Sequence, residues 1–206
     1  MKNFLLEASP QGRGLETAVP VVTSAGRHEL PPSPTAGFEN LKADPKWIDF
    51  RHADAARLPR PLVLTNGVFD LLHCGHVNYL KQARDLGACL LVGVNSDASV
   101  RRLGKGPERP IHTAADRAYV LAALGCVTHV AIFEETTPWE LIHWCRPELY
   151  VKGGDYDVRN LKEAQWLQAW GGRALTIPIQ FAQSTTQVVG RLREAPLSAA
   201  TTALSS

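Results

Sequence analysis

The chain has 206 residues, with 22 Lys and Arg against 20 Asp and Glu, a formal charge of +2, 45% hydrophobic and 20% charged residues. A chain of this length buries roughly 70% of the surface its unfolded form exposes, so a hydrophobic core forms without disulfide or metal staples. The near-neutral charge excludes the basic footprint of a duplex-binding protein and favours small-molecule partners.

The amino-terminal residues 1–7 carry one Lys and a brief Phe4-Leu5-Leu6 run, far short of a signal peptide or of the roughly 20 apolar residues of a membrane span. Residues 8–45 hold Pro-Pro-Ser-Pro, Gly-Arg-Gly and Thr-Ala-Gly without a sustained apolar period. Residues 1–45 therefore read as a mostly disordered leader. Within 38–57, Trp47, Ile48 and Phe50 suit a short helix or strap docked on the core. The tail 195–206, rich in Ser, Thr and Ala, reads as frayed, which leaves a folded domain over 46–194. Cys74, Cys89, Cys126 and Cys145 make no C-x-x-C pair and read as reduced thiols, and with no export signal the expected place is the cytoplasm.

Short apolar runs at 62–66, 89–94, 129–133, 149–152 and 174–178 read as strands. Between them, 75–86, 96–102, 113–124, 138–145 and 161–170 read as helices, with Gly87, Gly125 and Gly171 closing three of them. Thr113 and Asp116 set out a capping box, and Thr137-Pro138-Trp139-Glu140 offers an N-cap, a proline at the first helical position and an acceptor. The alternation predicts an α/β fold, a Rossmann-like open parallel five-stranded sheet with helices on both faces. Such sheets bind ligands outside the carboxyl ends of their strands, so the segments following each run are the ones to read for chemistry.

Four of these segments are unusual. The first, Thr65-Asn66-Gly67-Val68-Phe69-Asp70-Leu71-Leu72-His73-Cys74-Gly75-His76, runs from a strand into a helix. His73 and His76, three apart at a helix start, share a face beside unpaired backbone N–H groups, and Gly75 permits close approach, an arrangement suited to phosphate. The bland alternative is a surface His pair or a metal site. The second, 92–109, carries Arg101, Arg102, Lys105 and Arg109 around Gly104 and Gly106, cations that either clamp phosphate or form a solvated basic loop. Asp97 near its start either contacts ligand or caps a helix. The third is Val151-Lys152-Gly153-Gly154-Asp155-Tyr156, where Lys152 is placed for phosphate and Asp155 for hydroxyls, against a plain strand-to-turn reading. The fourth, Gln183-Ser184-Thr185-Thr186, precedes a last expected helix and caps it with or without a ligand. Trp139, Trp144, Trp166 and Trp170 read as packing in the core or at a dimer face rather than base-stacking platforms.

The pattern Asn66-Gly67-x-Phe69-Asp70-x-x-His73-x-Gly75-His76 resembles the signature of the HxGH nucleotidyltransferase superfamily. With Val94-Asn95-Ser96-Asp97-Ala98-Ser99, Lys152-Gly153-Gly154-Asp155-Tyr156 and Ser184-Thr185-Thr186 in the same order, about residues 60–194 resemble the adenylyltransferases of ADP-heptose synthesis. The resemblance implies transfer of adenylyl from ATP to D-glycero-β-D-manno-heptose 1-phosphate, giving ADP-heptose and pyrophosphate for lipopolysaccharide inner-core assembly. It implies His73, His76, Lys152 and Arg117 as the catalytic set, with Arg117 facing phosphate or, in the bland alternative, paired with a carboxylate. It implies nucleotide contacts from Asn66, Gly67, Val68, Phe69, Gly75, Gly153, Asp155, Ser184, Thr185 and Thr186, and substrate contacts from Asp70, Asn95, Asp97, Arg101, Lys105 and Arg109. Mg²⁺ would arrive on the nucleotide, with no protein metal ligand singled out, and a homodimer is the implied assembly. Glycerol-phosphate cytidylyltransferases typically place an Arg shortly before the fourth motif, and Ile179-Gln180-Phe181-Ala182-Gln183 has none, which argues for adenylyl transfer. A glycerol-3-phosphate cytidylyltransferase, an FAD synthetase-like enzyme and a non-catalytic nucleotide-binding module remain the alternatives.

Overall fold

The computed structural model describes residues 36–104, 106, 108–154 and 157–178. Each expected apolar run is a strand: β1 Leu62–Gly67, β2 Cys89–Asn95, β3 His129–Phe133, β4 Leu149–Gly153 and β5 Arg173–Ile177. All pairings are parallel and the order is β3-β2-β1-β4-β5. β2 is buried along its whole length, as expected of a strand covered on both faces. The chain steps outward from β1 through β2 to β3, then crosses back to β4 on the other side of β1, so the switch in direction falls between β1 and β4. In open sheets of this kind the crevice at that point receives the ligand.

The helices are α1 Ala36–Ala43, α2 Cys74–Arg84, α3 Asp97–Arg102, α4 Ala114–Ala122, α5 Trp139–Cys145 and α6 Lys162–Leu167. Several are a residue or more shorter than the sequence pattern suggests; the stretch 168–170 beyond α6 tightens to a 3₁₀ turn before Gly171 closes it in the left-handed region. Thr113 caps α4 as expected, its hydroxyl accepting from the Asp116 N–H at 3.2 Å and donating to Asp116 Oδ2 at 2.6 Å. The expected cap at Thr137 is not formed: Pro138 occupies the N-cap position of α5 and no side chain caps that end.

Two apolar clusters line the sheet. Val63, Val92, Val130 and Val151 meet Tyr79 and Leu80 of α2 and Ala118 and Leu121 of α4 on one face. Leu64, Leu91, Phe133 and Tyr150 meet Leu141, Ile142 and Leu167 on the other. The leader expected over 1–45 needs correction at its end, because 36–43 form α1 and Leu41 is fully buried in the first cluster. The following strap pairs with the sheet at Trp47 and Val130, with Ile48 N–H donating to Val130 O and Val130 N–H to Lys46 O, each at 2.9 Å. Residues 1–35 and the expected tail 195–206 lie outside the described residues. Among the described residues no helix is long and apolar enough to cross a membrane.

Candidate active site

The corner between β1 and α2 is built around one unusual backbone conformation. Phe69 has φ 50°, a left-handed conformation uncommon for an aromatic residue and a mark of strain held by its surroundings. Its ring folds back so closely that a Cβ on Gly67 would stand 3.1 Å from it, which is why residue 67 carries no side chain. The Phe69 ring meets His76 at 5.6 Å between centroids, and His76 lies 4.0 Å from His73. His73 is the N-cap of α2, its Nδ1 accepting from the Gly75 N–H at 3.2 Å.

That bond fixes a tautomer. With Nδ1 an acceptor, neutral His73 carries its proton on Nε2 as a donor. Burial lowers the His73 pKa, and burial together with the neighbouring His73 lowers that of His76 to about 4. Two stacked cations would repel, so the pair rests neutral until an anion arrives. His76 Nδ1 is buried without a hydrogen-bond partner, a deficit of about 1–3 kcal/mol that a ligand can relieve. The helix end supplies further unpaired N–H groups and the positive end of its dipole. Imidazole N–H, an ammonium and backbone N–H groups offer donors to anionic oxygen rather than the oxygen ligands a hard cation such as Mg²⁺ takes.

Beneath the corner, Thr65 Oγ1 lies 2.5 Å from Tyr79 Oη, and the Tyr79 hydroxyl donates to Val151 O at 2.8 Å. This chain ties α2 to β1 and β4 below the histidines. On the opposite face, at the same sheet edge, Asn66 Oδ1 accepts from Lys152 Nζ at 3.1 Å and from the Tyr150 hydroxyl at 2.5 Å. A Cβ on Gly153 would meet the Tyr79 ring at 3.2 Å, so the close packing of α2 on β4 needs glycine there. The structure thus brings Asn66 and Lys152 together across the switch point, and Gly67, Phe69, His73, Gly75 and His76 together on the α2 side.

Other expected site residues are engaged in contacts within the protein. Arg117 was expected to face phosphate, but its side chain is 1% exposed. Its guanidinium donates to His112 O at 3.0 Å, Val68 O at 2.5 Å, Asn95 O at 2.8 Å and Asp97 Oδ1 at 2.8 Å. It is a strut joining the ends of β1 and β2 to α3 and the loop before α4, as in the bland alternative of a carboxylate pair, and Asp97 is that carboxylate. Asp70 was expected to touch substrate but accepts from Ile111 N–H at 2.9 Å, His112 N–H at 3.0 Å and Arg109 at 2.5 Å. Burial pushes its pKa up, and the hydrogen bonds from His112, Arg109 and Ile111 outweigh it, leaving the carboxyl below its ordinary value. Arg109 is thereby occupied as the Asp70 partner, with 11% side-chain exposure. Asn95 is buried, its amide donating to Ser99 Oγ at 2.9 Å. Arg101 is exposed in the last turn of α3. Lys105, Asp155, Ser184, Thr185 and Thr186 lie outside the described residues.

Thr65, Tyr79 and Tyr150 were not singled out by sequence reasoning. The available signal was a hydroxyl inside an apolar run or face, which requires a buried partner.

A doubly wound parallel sheet, with anion-seeking donors gathered at its switch point and at the start of the first crossover helix, defines a nucleotide-binding α/β protein. The chain belongs to the cytidylyltransferase-like family of nucleotidyltransferases, whose sequence model matches residues 64–191. The D-beta-D-heptose 1-phosphate adenylyltransferase of Bordetella bronchiseptica is 60% identical over 140 residues, covering 68% of this chain and 86% of that protein. The bifunctional protein HldE of Streptomyces coelicolor is 44% identical over 198 residues, 93% of this chain but only 42% of that longer protein. Among solved structures, the lipopolysaccharide core biosynthesis protein from Thermoplasma volcanium superposes with a TM-score of 0.50 at 26% identity, over 59% of this chain and 98% of that one.

Proposed function

We propose that this protein is an adenylyltransferase that joins ATP and D-glycero-β-D-manno-heptose 1-phosphate, giving ADP-heptose and pyrophosphate for lipopolysaccharide inner-core assembly. The observation that carries the reading is the His73–His76 pair at the N-terminus of α2, ring centroids 4.0 Å apart, with one buried ring nitrogen unpartnered. The acceptor is assigned from the relative of Bordetella bronchiseptica, which shares 60% of its residues with this chain over the matched region.

A phosphate oxygen of the sugar phosphate attacks the α-phosphorus of ATP, the bond to the bridging oxygen breaks, and pyrophosphate leaves with that bonding pair. No protein nucleophile takes part, so catalysis rests on positioning and on donors that meet the developing charge. His73 donates from Nε2 to a non-bridging phosphoryl oxygen. His76 gains a partner when the anion enters, and the anion raises the pKa of both rings toward the charged form. Lys152 moves from the Asn66 oxygen toward phosphate, and Ser184, Thr185 and Thr186 hold the terminal phosphates. Mg²⁺ carried in on the nucleotide would supply charge neutralisation at its phosphates, while these side chains hold and orient the reacting groups. Arg101 and Lys105 meet the sugar phosphate. The enzyme works as a cytoplasmic homodimer.

The test is pyrophosphate release by the purified protein with Mg²⁺, offering ATP, CTP or GTP with heptose 1-phosphate or glycerol 3-phosphate. Release confined to ATP with the heptose is the expected result. Release with CTP and glycerol 3-phosphate would overturn both the nucleotide and the acceptor.

A further inference from the structure

Tyr150 is the second residue of β4 and is fully buried, yet its hydroxyl reaches Asn66 near the carboxyl end of β1. Residues 150 and 152 alternate onto one face of the sheet, and Asn66 lies on that face of the adjacent β1. The Asn66 carboxamide oxygen therefore accepts from two donors, the Tyr150 phenol at 2.5 Å and the Lys152 ammonium at 3.1 Å. The phenol also lies 3.3 Å from Glu163 Oε1 on α6. It has one proton, and the shorter contact to Asn66 takes it.

An amide whose oxygen is held by two donors cannot turn over without aiming its NH₂ group at an ammonium. The oxygen end is fixed, so the NH₂ end becomes a fixed pair of donors at the carboxyl end of β1. The two locks differ in kind. Lys152 is a partly buried ammonium on a flexible stem, for which an anionic ligand would compete, whereas the phenol belongs to a fully buried side chain of the core.

We propose that Tyr150 is a positioning residue: it holds the Asn66 carboxamide oriented with its NH₂ group toward an oxygen of the bound nucleotide while Lys152 is drawn to phosphate. The inference rests on the nucleotide site described above and not on which acceptor is used.

Tyr150→Phe keeps the ring and its packing and removes only the donor. Titration calorimetry with ATP is expected to show about fivefold weaker binding, the ordinary worth of one hydrogen bond. In an Asn66→Ala background the same substitution is expected to change ATP affinity by less than about twofold, because the group it orients is gone. Wild-type affinity in Tyr150→Phe, or an undiminished loss on the Asn66→Ala background, would overturn the proposal, since a packing role would persist without Asn66. ATP binding by the wild type without pyrophosphate release from any acceptor would count against the adenylyltransferase reading and leave this test intact.

Discussion

Two corners at the same sheet edge use charge and polarity in opposite ways. Around the ends of β1 and β2, the charged groups Arg117, Asp97 and Arg109, together with Asp70 of the β1–α2 loop, spend their hydrogen bonds on each other and on backbone groups. Between β1 and α2, the imidazoles of His73 and His76 have little to satisfy them: one accepts a single backbone bond and the other has a buried nitrogen without a partner. The contrast separates residues that build the site from residues that act in it. A buried charge already enclosed by donors or acceptors holds shape, and the unpaired His76 nitrogen in the first turn of α2 is placed to meet a ligand.

The strongest attempt to break that distinction is Arg117→Met. It removes four hydrogen bonds and strands Asp97, so chemical denaturation is expected to show a loss of about 3–5 kcal/mol, the usual result of deleting one member of a buried ionic network. If Arg117 served mainly to meet ligand, stability would hold and only activity would fall. The reciprocal case is His76→Ala, expected to lower turnover on the order of 100-fold to 1,000-fold. Its stability should stay close to wild type, because the ring satisfies no structural bond. Near-normal turnover would erase the difference between the corners.

Asp70→Asn sharpens the comparison at smaller scale. The amide oxygen still accepts from the Ile111 and His112 N–H groups, but the charge opposite Arg109 is lost, which costs about 1–3 kcal/mol at neutral pH. Because the folded-state pKa of Asp70 is depressed below 3.8, its contribution is present above that value and is lost as pH falls through the folded pKa. The gap between wild type and variant should therefore close in acid.

A further test reads a slope rather than a single value. His76 takes up a proton near pH 6.5 when unfolded but only near 4 when folded, so between those values the unfolded chain holds more protons. Stability of the ligand-free protein should fall as pH drops from 6.5 toward 4, and His76→Gln should flatten that part of the profile. An unchanged slope would show that another group carries it.

Strands were legible because continuous apolar runs between glycines have few other homes in a chain of alternating patterns. His73, Gly75, His76, Asn66 and Lys152 were legible as chemistry because the spacing places them where strands end. The roles of Arg117 and Asp70 were not, since a sequence names a charge without saying which carbonyl or amide faces it. Tyr150 and Tyr79 were overlooked for a related reason: in a run such as Leu149-Tyr150-Val151 the ring accounts for the position and the hydroxyl is easily passed over. Helix α1 was legible only in part: the window 38–57 suits a short helix or strap, but the proline-rich flank hides the start at Ala36, and Leu41 is fully buried in the core.

The pairing of the strap to β3 bears on how the protein behaves in a crowded solution. β3 is the outermost strand on its side, and a bare outer strand offers a row of unpaired N–H and C=O groups to any other extended chain. At Val130 both groups are already taken, by Lys46 and Ile48 of the same polypeptide. The segment ahead of β1 therefore acts as a guard against strand-to-strand aggregation, and its removal would be felt first as lost solubility.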